Sequence, residues 1–310
     1  MENATQNVKV SDFQITRYPD ALGGDCFHFS AKHPDGKFSG FGTAFDEKLA
    51  LKIAISESIE RFCYQRLQQD LEAKSSSGFA VHETQELAAE GAQCELLERD
   101  AVLCAWLLKQ PPQWFSESEL DPFLKEQTSL FYSNGFDIKF GLLRISNGRF
   151  CCLGALLPYD NRHSFGAVFS ASCNQNLIKS QESILKELRR AATVIFNRGA
   201  EENPPRPKLN LHMTAQDHFD YYANPLNLPK AKWLFEGTLS QPRESNFQVN
   251  IKTFQPLLNP SWPLYGAHAS SSKLQNLYFG LSTFARINRR RLRKEWQRGQ
   301  KLNKDLHILP

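Results

Sequence analysis

Several patterns are missing from this chain, and each absence excludes a class. In 310 residues no apolar run reaches membrane-spanning length. Met1-Glu2-Asn3 begins no signal peptide. The seven cysteines (26, 63, 94, 104, 151, 152 and 173) form no CxxC and no zinc spacing. Their odd number and scatter point to reduced core thiols in a cytoplasm. Cys94, directly before Glu95, is read as a small buried hydrophobe rather than a reactive thiol. There is no low-complexity segment and no clean domain boundary, so one domain over residues 1–310 is expected.

Positive charge is also scarce outside one place. Residues 286–304 carry nine bases and the single acid Glu295, while the rest holds more acids than bases. The basic character therefore belongs to a C-terminal tail, residues 286–310. That tail reads as a solvated helix with Leu292 and Trp296, four apart, packed on the body. Basic and aromatic residues do not interleave as in single-strand binders, so RNA is not an expected partner.

What is present is a repeat. Residues 40–61 read GFGTAFDEKLALKIAISESIER and residues 78–99 read GFAVHETQELAAEGAQCELLER. A shift of 38 positions lays Gly40, Phe41, Leu49, Ala50 and Ala54 on Gly78, Phe79, Leu87, Ala88 and Ala92. It also lays Glu57, Glu60 and Arg61 on Glu95, Glu98 and Arg99. Each copy reads as a Gly-containing turn, a helix capped by Asp46 or Thr84, and then ExxER. Glutamates three apart share a helix face. On a half-buried face they repel unless a cation, an arginine or a proton relieves them. Clustered carboxylates suit Mg²⁺, and arginines suit phosphate oxygens. A solvated face with i,i+4 pairs is the other reading of ExxER, and both stay open on the residues alone. A ferritin-like di-iron site is excluded, because no His stands three after any of these glutamates.

Strands are expected within 8–16, at 26–31, 165–172 and 246–254, and as a hairpin of 136–145 and 150–157 about Ser146-Asn147-Gly148-Arg149. Helices are expected over about 46–72, 84–108, 119–133 and 177–197. The last turns Leu177, Ile184, Leu188, Ala191 and Ile195 to one side, and Glu182, Lys186, Glu187, Arg189 and Arg190 to a charged face. Residues 201–208 read as a linker or exposed loop. The class is α+β: a mixed or antiparallel sheet packed with several long helices, two of them the repeat.

At residues 75–107 (SSSGFAVHETQELAAEGAQCELLERDAVLCAWL) the sequence resembles the YcaO family, most of all its azoline-forming branch. Residues 40–63 are similar to that family's first nucleotide-binding helix, and residues 165–190, with KELRR, to its third. Asp217–Tyr222 followed by Trp233–Phe235 is similar to a further family stretch, so the likeness spans about 38–280. The resemblance implies a YcaO-like fold and an enzyme that uses Mg·ATP on a peptide backbone. A Cys, Ser or Thr side chain adds to the preceding carbonyl, the oxyanion takes the γ-phosphoryl group, and phosphate leaves to give an azoline. A thioamide is the other product the family makes.

Carried over, Glu57, Glu60, Glu95 and Glu98 would bind Mg²⁺, while Arg61, Arg99, Glu187 and Arg190 would line the triphosphate pocket. The implied partners are a ribosomally made precursor peptide, a separate E1-like or leader-binding protein, and a second copy of the chain. Three departures matter. Glu60 and Glu95 are only 35 apart where the family has about a hundred residues between its helices. Ile53 stands where the family often has Ser, and the chain ends His307-Ile308-Leu309-Pro310 rather than in a PxPxP tail. These keep two other readings in view: a non-catalytic homologue that recruits a peptide or partner, and an auxiliary of ribosomal-protein modification. His82, just before the second helix, is a candidate for proton handling, and His218 for a helix-start or packing role.

Overall fold

The computed structural model describes residues 6–10, 12–73, 75–198, 207–237, 243–256, 262–296 and 299–309, with side chains from residue 12 onward. The 201–208 linker falls almost wholly outside them, as do Arg298 and Pro310. In chain order the elements are β1 Gln6–Val10, β2 Phe13–Tyr18, β3 Phe27–Lys32, β4 Ser39–Ala44, α1 Glu47–Leu67, β5 Phe79–His82 and α2 Gln85–Leu107. Then come β6 Gln113–Trp114, α3 Pro122–Ser133, β7 Phe136–Ser146, β8 Arg149–Pro158, β9 Val168–Asn174 and α4 Leu177–Arg198. The last are α5 Ala215–Ala223, α6 Leu228–Ala231, α7 Trp233–Glu236, β10 Arg243–Ser245, β11 Asn250–Phe254, β12 Tyr265–Ser270 and α8 Arg289–Leu292. The chain divides into two compact units, Met1–Leu96 with Val249–Ser271, and Leu97–Gln248 with Ser272–Pro310.

The first unit holds two antiparallel sheets, β1-β2-β3-β4 and β11-β12-β5. Asp46 caps α1, its side chain accepting from the Leu49 N–H at 2.7 Å. Ala50, Ala54 and Ser58, four apart, make a small buried stripe on this helix. Gly40 and Gly42 of β4 lie directly on that stripe. A Cβ at either would collide with the backbone of α1, at Ala54–Ser58 or Ala50–Ala54. This is the use of glycine where a second backbone approaches closely. Phe13, Ile15, Phe29, Ile55, Ile59 and Phe79 fill the core beside it. The Gly–Phe segments read as turns are therefore strands; only Gly78, at φ 79°, is in a turn conformation.

The second unit is built on β10-β7-β8-β9, with β6 beside β7; β10 pairs parallel and the others antiparallel. The β7–β8 hairpin turns on Asn147 and Gly148, both at positive φ (50° and 69°), as a two-residue primed turn requires. The helix expected over 119–133 begins later, at Pro122, because Asp121 caps it and proline suits the first helical position. Helix α4 lies on β8, with Ile184 over Gly154 and Leu188 fully buried. Each such side chain contributes about 1.5–3 kcal/mol. Arg189, expected on the charged face, is buried and donates to Gln127 of α3.

The C-terminal tail is only partly the helix expected. Helix α8 is one turn, and Leu292 and Trp296 do pack, against Cys104, Leu107 and Leu108. Arg291 turns inward, however, because Asp100 and Glu295 receive it there. The DHFDYY stretch forms α5, capped by Thr214 and bearing buried His218. Among the described residues no helix is long and apolar enough to cross a membrane.

Candidate active site

The two copies of ExxER are two strand–helix units, and the first glutamate of each turns back onto its own strand. Glu57 Oε2 accepts from the Phe41 N–H at 2.6 Å. Glu95 Oε2 accepts from the Gly78 and Phe79 N–H groups at 2.9 and 3.1 Å. Phe41 and Phe79 are the same position in the repeat, so the repeat is a repeated latch from helix to strand. A carboxylate bonded to backbone N–H groups is well supplied with donors, and these bonds are the stronger, charge-assisted kind.

The second glutamate of each copy is placed differently. Burial holds Glu60 protonated well above the ordinary carboxylate range, and the charges of Glu95 and Glu57 push the same way. Arg61 and a backbone hydrogen bond from Val81 offset part of this. In the second unit, burial also raises Glu98; Arg99 opposes the rise and Glu187 adds to it. At these two glutamates the surroundings disfavour the ionised form, so an added cation would favour it.

The arginines differ between copies. Arg61 pairs with Glu57 at 2.6 Å and donates to the Ser39 carbonyl at 2.9 Å. Arg99 pairs instead with its neighbour Glu98 at 3.0 Å. Arg190 pairs with Glu187 one turn back on α4. Glu57, Glu60, Glu95 and Arg61 thus belong together in the first unit, and Glu98, Arg99, Glu187 and Arg190 belong to the second. Among the described residues no three His, Cys, Asp or Glu side chains converge as a metal cage. The all-oxygen donors suit Mg²⁺ nonetheless, because that ion commonly takes one or two carboxylates plus phosphate and water.

The remaining candidates separate cleanly. His82 is exposed at the end of β5, its Nδ1 accepting from the Glu83 N–H at 2.9 Å. His218 is buried in the second unit and bonded on both ring nitrogens, to His307 O at 2.9 Å and the Gly280 N–H at 2.8 Å. Cys94 is buried with the other six thiols. Ile53 is 37% exposed on α1.

Comparison with known proteins follows the same lines. The model of the family described as YcaO cyclodehydratase, ATP- and Mg²⁺-binding, matches residues 59–259. No curated protein matches the sequence. Among solved structures, a chain of the E. coli microcin synthetase McbBCD complex with pro-MccB17 bound aligns at TM-score 0.62 and 13% identity, covering 90% of this chain and 95% of that one. YcaO from Methanopyrus kandleri, bound with AMPPCP and Mg²⁺, aligns at TM-score 0.53 and 12% identity over 86% of this chain and 84% of that one. A heterocyclase in complex with substrate and cofactor aligns at 0.57 and 11%, over 86% of this chain and 50% of that one. The expected α+β fold, antiparallel and mixed sheets with long helices, is the fold these chains share.

Proposed function

The chain belongs to the YcaO family, and on that premise we propose that it is an ATP-dependent enzyme of peptide-backbone modification, forming azolines from Cys, Ser or Thr in a ribosomally made peptide. ATP and Mg²⁺ are its cofactors, as the family description has it. The single observation that carries the proposal is the pair of half-buried glutamates, Glu60 and Glu98, each set against another carboxylate of its own unit and held above its ordinary range. Such charge is costly in the empty protein and useful to one that binds a cation.

In this reading Glu60 in the first unit and Glu98 in the second are residues that would hold Mg²⁺. Glu57 and Glu95, the latched glutamates, set the negative field and contribute as ligands when their oxygens are free. Mg²⁺ supplies charge neutralisation on phosphate oxygens when bound. Arg61, Arg99 and Arg190 would hold phosphate oxygens in place of their carboxylate partners, and Glu187 would orient Arg190. Phosphoryl transfer asks for positioning and charge compensation rather than a protein nucleophile, and Cys94, the thiol next to Glu95, is buried. The proposal takes residues 1–310 as one functional domain. It places the reaction in the cytoplasm, on the seven buried thiols, with a separate E1-like or leader-binding protein presenting the peptide. A second copy of the chain is a further partner under the same proposal.

Titration of the protein with Mg²⁺ and a non-hydrolysable ATP analogue tests this, wild type beside Glu60→Gln and Glu98→Gln. Micromolar, Mg²⁺-dependent binding that both substitutions abolish is expected, while Glu60→Gln raises stability without Mg²⁺. Substitutions that leave binding and peptide modification intact refute the assignment. Exposed Ile53 favours the second reading, a non-catalytic recruiting homologue; Mg²⁺-dependent ATP turnover with the partner present removes it.

A further inference from the structure

We infer that the outer face of residues 284–296 and 299–304 is a docking surface for an acidic stretch of polypeptide. The structure sorts the charges of this basic segment into two layers. Inside, Arg291 binds Asp100 through Nε (3.0 and 3.1 Å) and Nη2 (2.8 Å). The one acid of the segment, Glu295, receives Arg144 at 2.9 and 2.8 Å, Arg243 at 2.8 Å, and Arg291. Its charge is therefore spent inward.

Outside stand Arg289, Arg290, Arg293, Lys294, Lys301 and Lys304, all exposed. None has a carboxylate within 4.0 Å among the described residues. Some surface cations elsewhere do face acids, as in Arg17–Glu47 at 2.9 Å and Arg162–Asp160 at 2.7 Å.

The array is also fixed in place. Leu292 is fully buried, the Trp296 indole N–H donates to Gln300 O at 2.6 Å, and the Asn303 N–H donates to Leu107 O at 2.8 Å. The backbone that carries these cations is already ordered, so when a partner arrives the side chains alone lose freedom. At its start, Phe284 is 73% exposed with the Arg289 guanidinium 5.4 Å above its ring. That supplies an apolar anchor beside forks that match carboxylates bidentately.

Charge complementarity names an anion-rich occupant, and the aromatics decide its kind. Single-stranded nucleic acid needs successive open ring faces for stacking. Here Phe284 has Arg289 over its face, and Trp296 packs against Leu292 with its N–H bonded. An acidic polypeptide with an apolar residue for Phe284 fits the surface better. The inference stands apart from the nucleotide site, which uses none of these residues.

Fluorescence anisotropy with the full chain tests it. The probe is a short labelled peptide of Asp and Glu interspersed with Leu and Phe, beside its Lys-substituted control and a single-stranded RNA oligonucleotide. The acidic peptide is expected to bind, to weaken at least about tenfold between ~50 and ~200 mM salt, and to weaken at least about tenfold again in Arg289→Glu/Arg290→Glu/Arg293→Glu/Lys294→Glu. The same variant should keep the wild-type melting temperature and Mg²⁺-nucleotide titration; if it does not fold, Arg293→Glu/Lys294→Glu carries the comparison. No binding at low salt, equal binding by the variant, or tighter RNA binding through the same residues overturns the inference.

Discussion

Acid should loosen the end of the chain, and His218 shows by how much. Its Nε2 accepts from the Gly280 N–H, so Nδ1 carries the proton and donates to His307 O. The ring is therefore neutral, and a second proton would set two donors face to face. Burial lowers its pKa from 6.5 to about 4, although the His307 carbonyl and Asp217 oppose the shift. His307, with its ring centroid 4.1 Å away, is driven well below its ordinary value by burial and by His218. Because the folded pKa is lowered, the unfolded chain takes the proton first. Stability is complete above pH 6.5 and is lost as pH falls toward 4. A gap of roughly two and a half pH units at about 1.4 kcal/mol each makes about 3 kcal/mol from His218 alone. Glu60 and Glu98, raised by burial, work in the opposite direction, so the test is a comparison. His218→Phe should be about 1–3 kcal/mol less stable at pH 7, having orphaned the Gly280 N–H. It should lose about 3 kcal/mol less than wild type between pH 6.5 and 4. Denaturant melts across that range, with hydrogen exchange of residues 303–309, measure both. Equal losses in the two proteins would refute the tautomer and burial argument together.

Three further outcomes follow from the packing. Glu95→Ala removes the acceptor of two backbone N–H groups and should cost about 3 kcal/mol; Glu57→Ala, with one such bond, should cost less in parallel thermal melts. Gly42→Ala drives a Cβ into the Ala50 carbonyl and should cost at least about 3 kcal/mol or prevent folding, seen as lost expression or a lowered denaturation midpoint. Arg291→Met leaves Asp100 and Glu295 short of a buried partner and should cost about 3–5 kcal/mol; replacing Asp100 with Leu in that background should recover part of it.

The repeat, its caps and the Asn147-Gly148 hairpin were legible because each is local. Asp46 bonds three residues ahead, and the hairpin needs only two residues at positive φ. Strand β4 was not legible as a strand, because an apolar alternation cannot show where the buried face is glycine, and β5 is only the four residues FAVH. Gly40 and Gly42 are there so that α1 can lie on the backbone. The division of labour within ExxER was also hidden. Glu57 reaches back 16 residues and Glu95 reaches 17 and 16, so tertiary contact separates latch from buried charge. Counting charges could not tell that Arg189 and Arg291 are inside while their neighbours are outside, since Gln127 and Asp100 lie far away in sequence. Tyr265–Ser270, strand β12, carried too short and small a pattern, YGAHAS, to stand out.

The Asp100–Arg291 pair joins positions 191 residues apart. On a ribosome adding roughly 5–20 residues each second, Asp100 emerges about 10–40 s before its partner exists. Through that interval the apolar side of α2 at Cys104, Leu107 and Leu108 also waits for Ile287 and Leu292. This part of the second unit therefore matures only after residue 292 has been made, and the nascent chain depends until then on whatever shields an uncovered helix face in the cell.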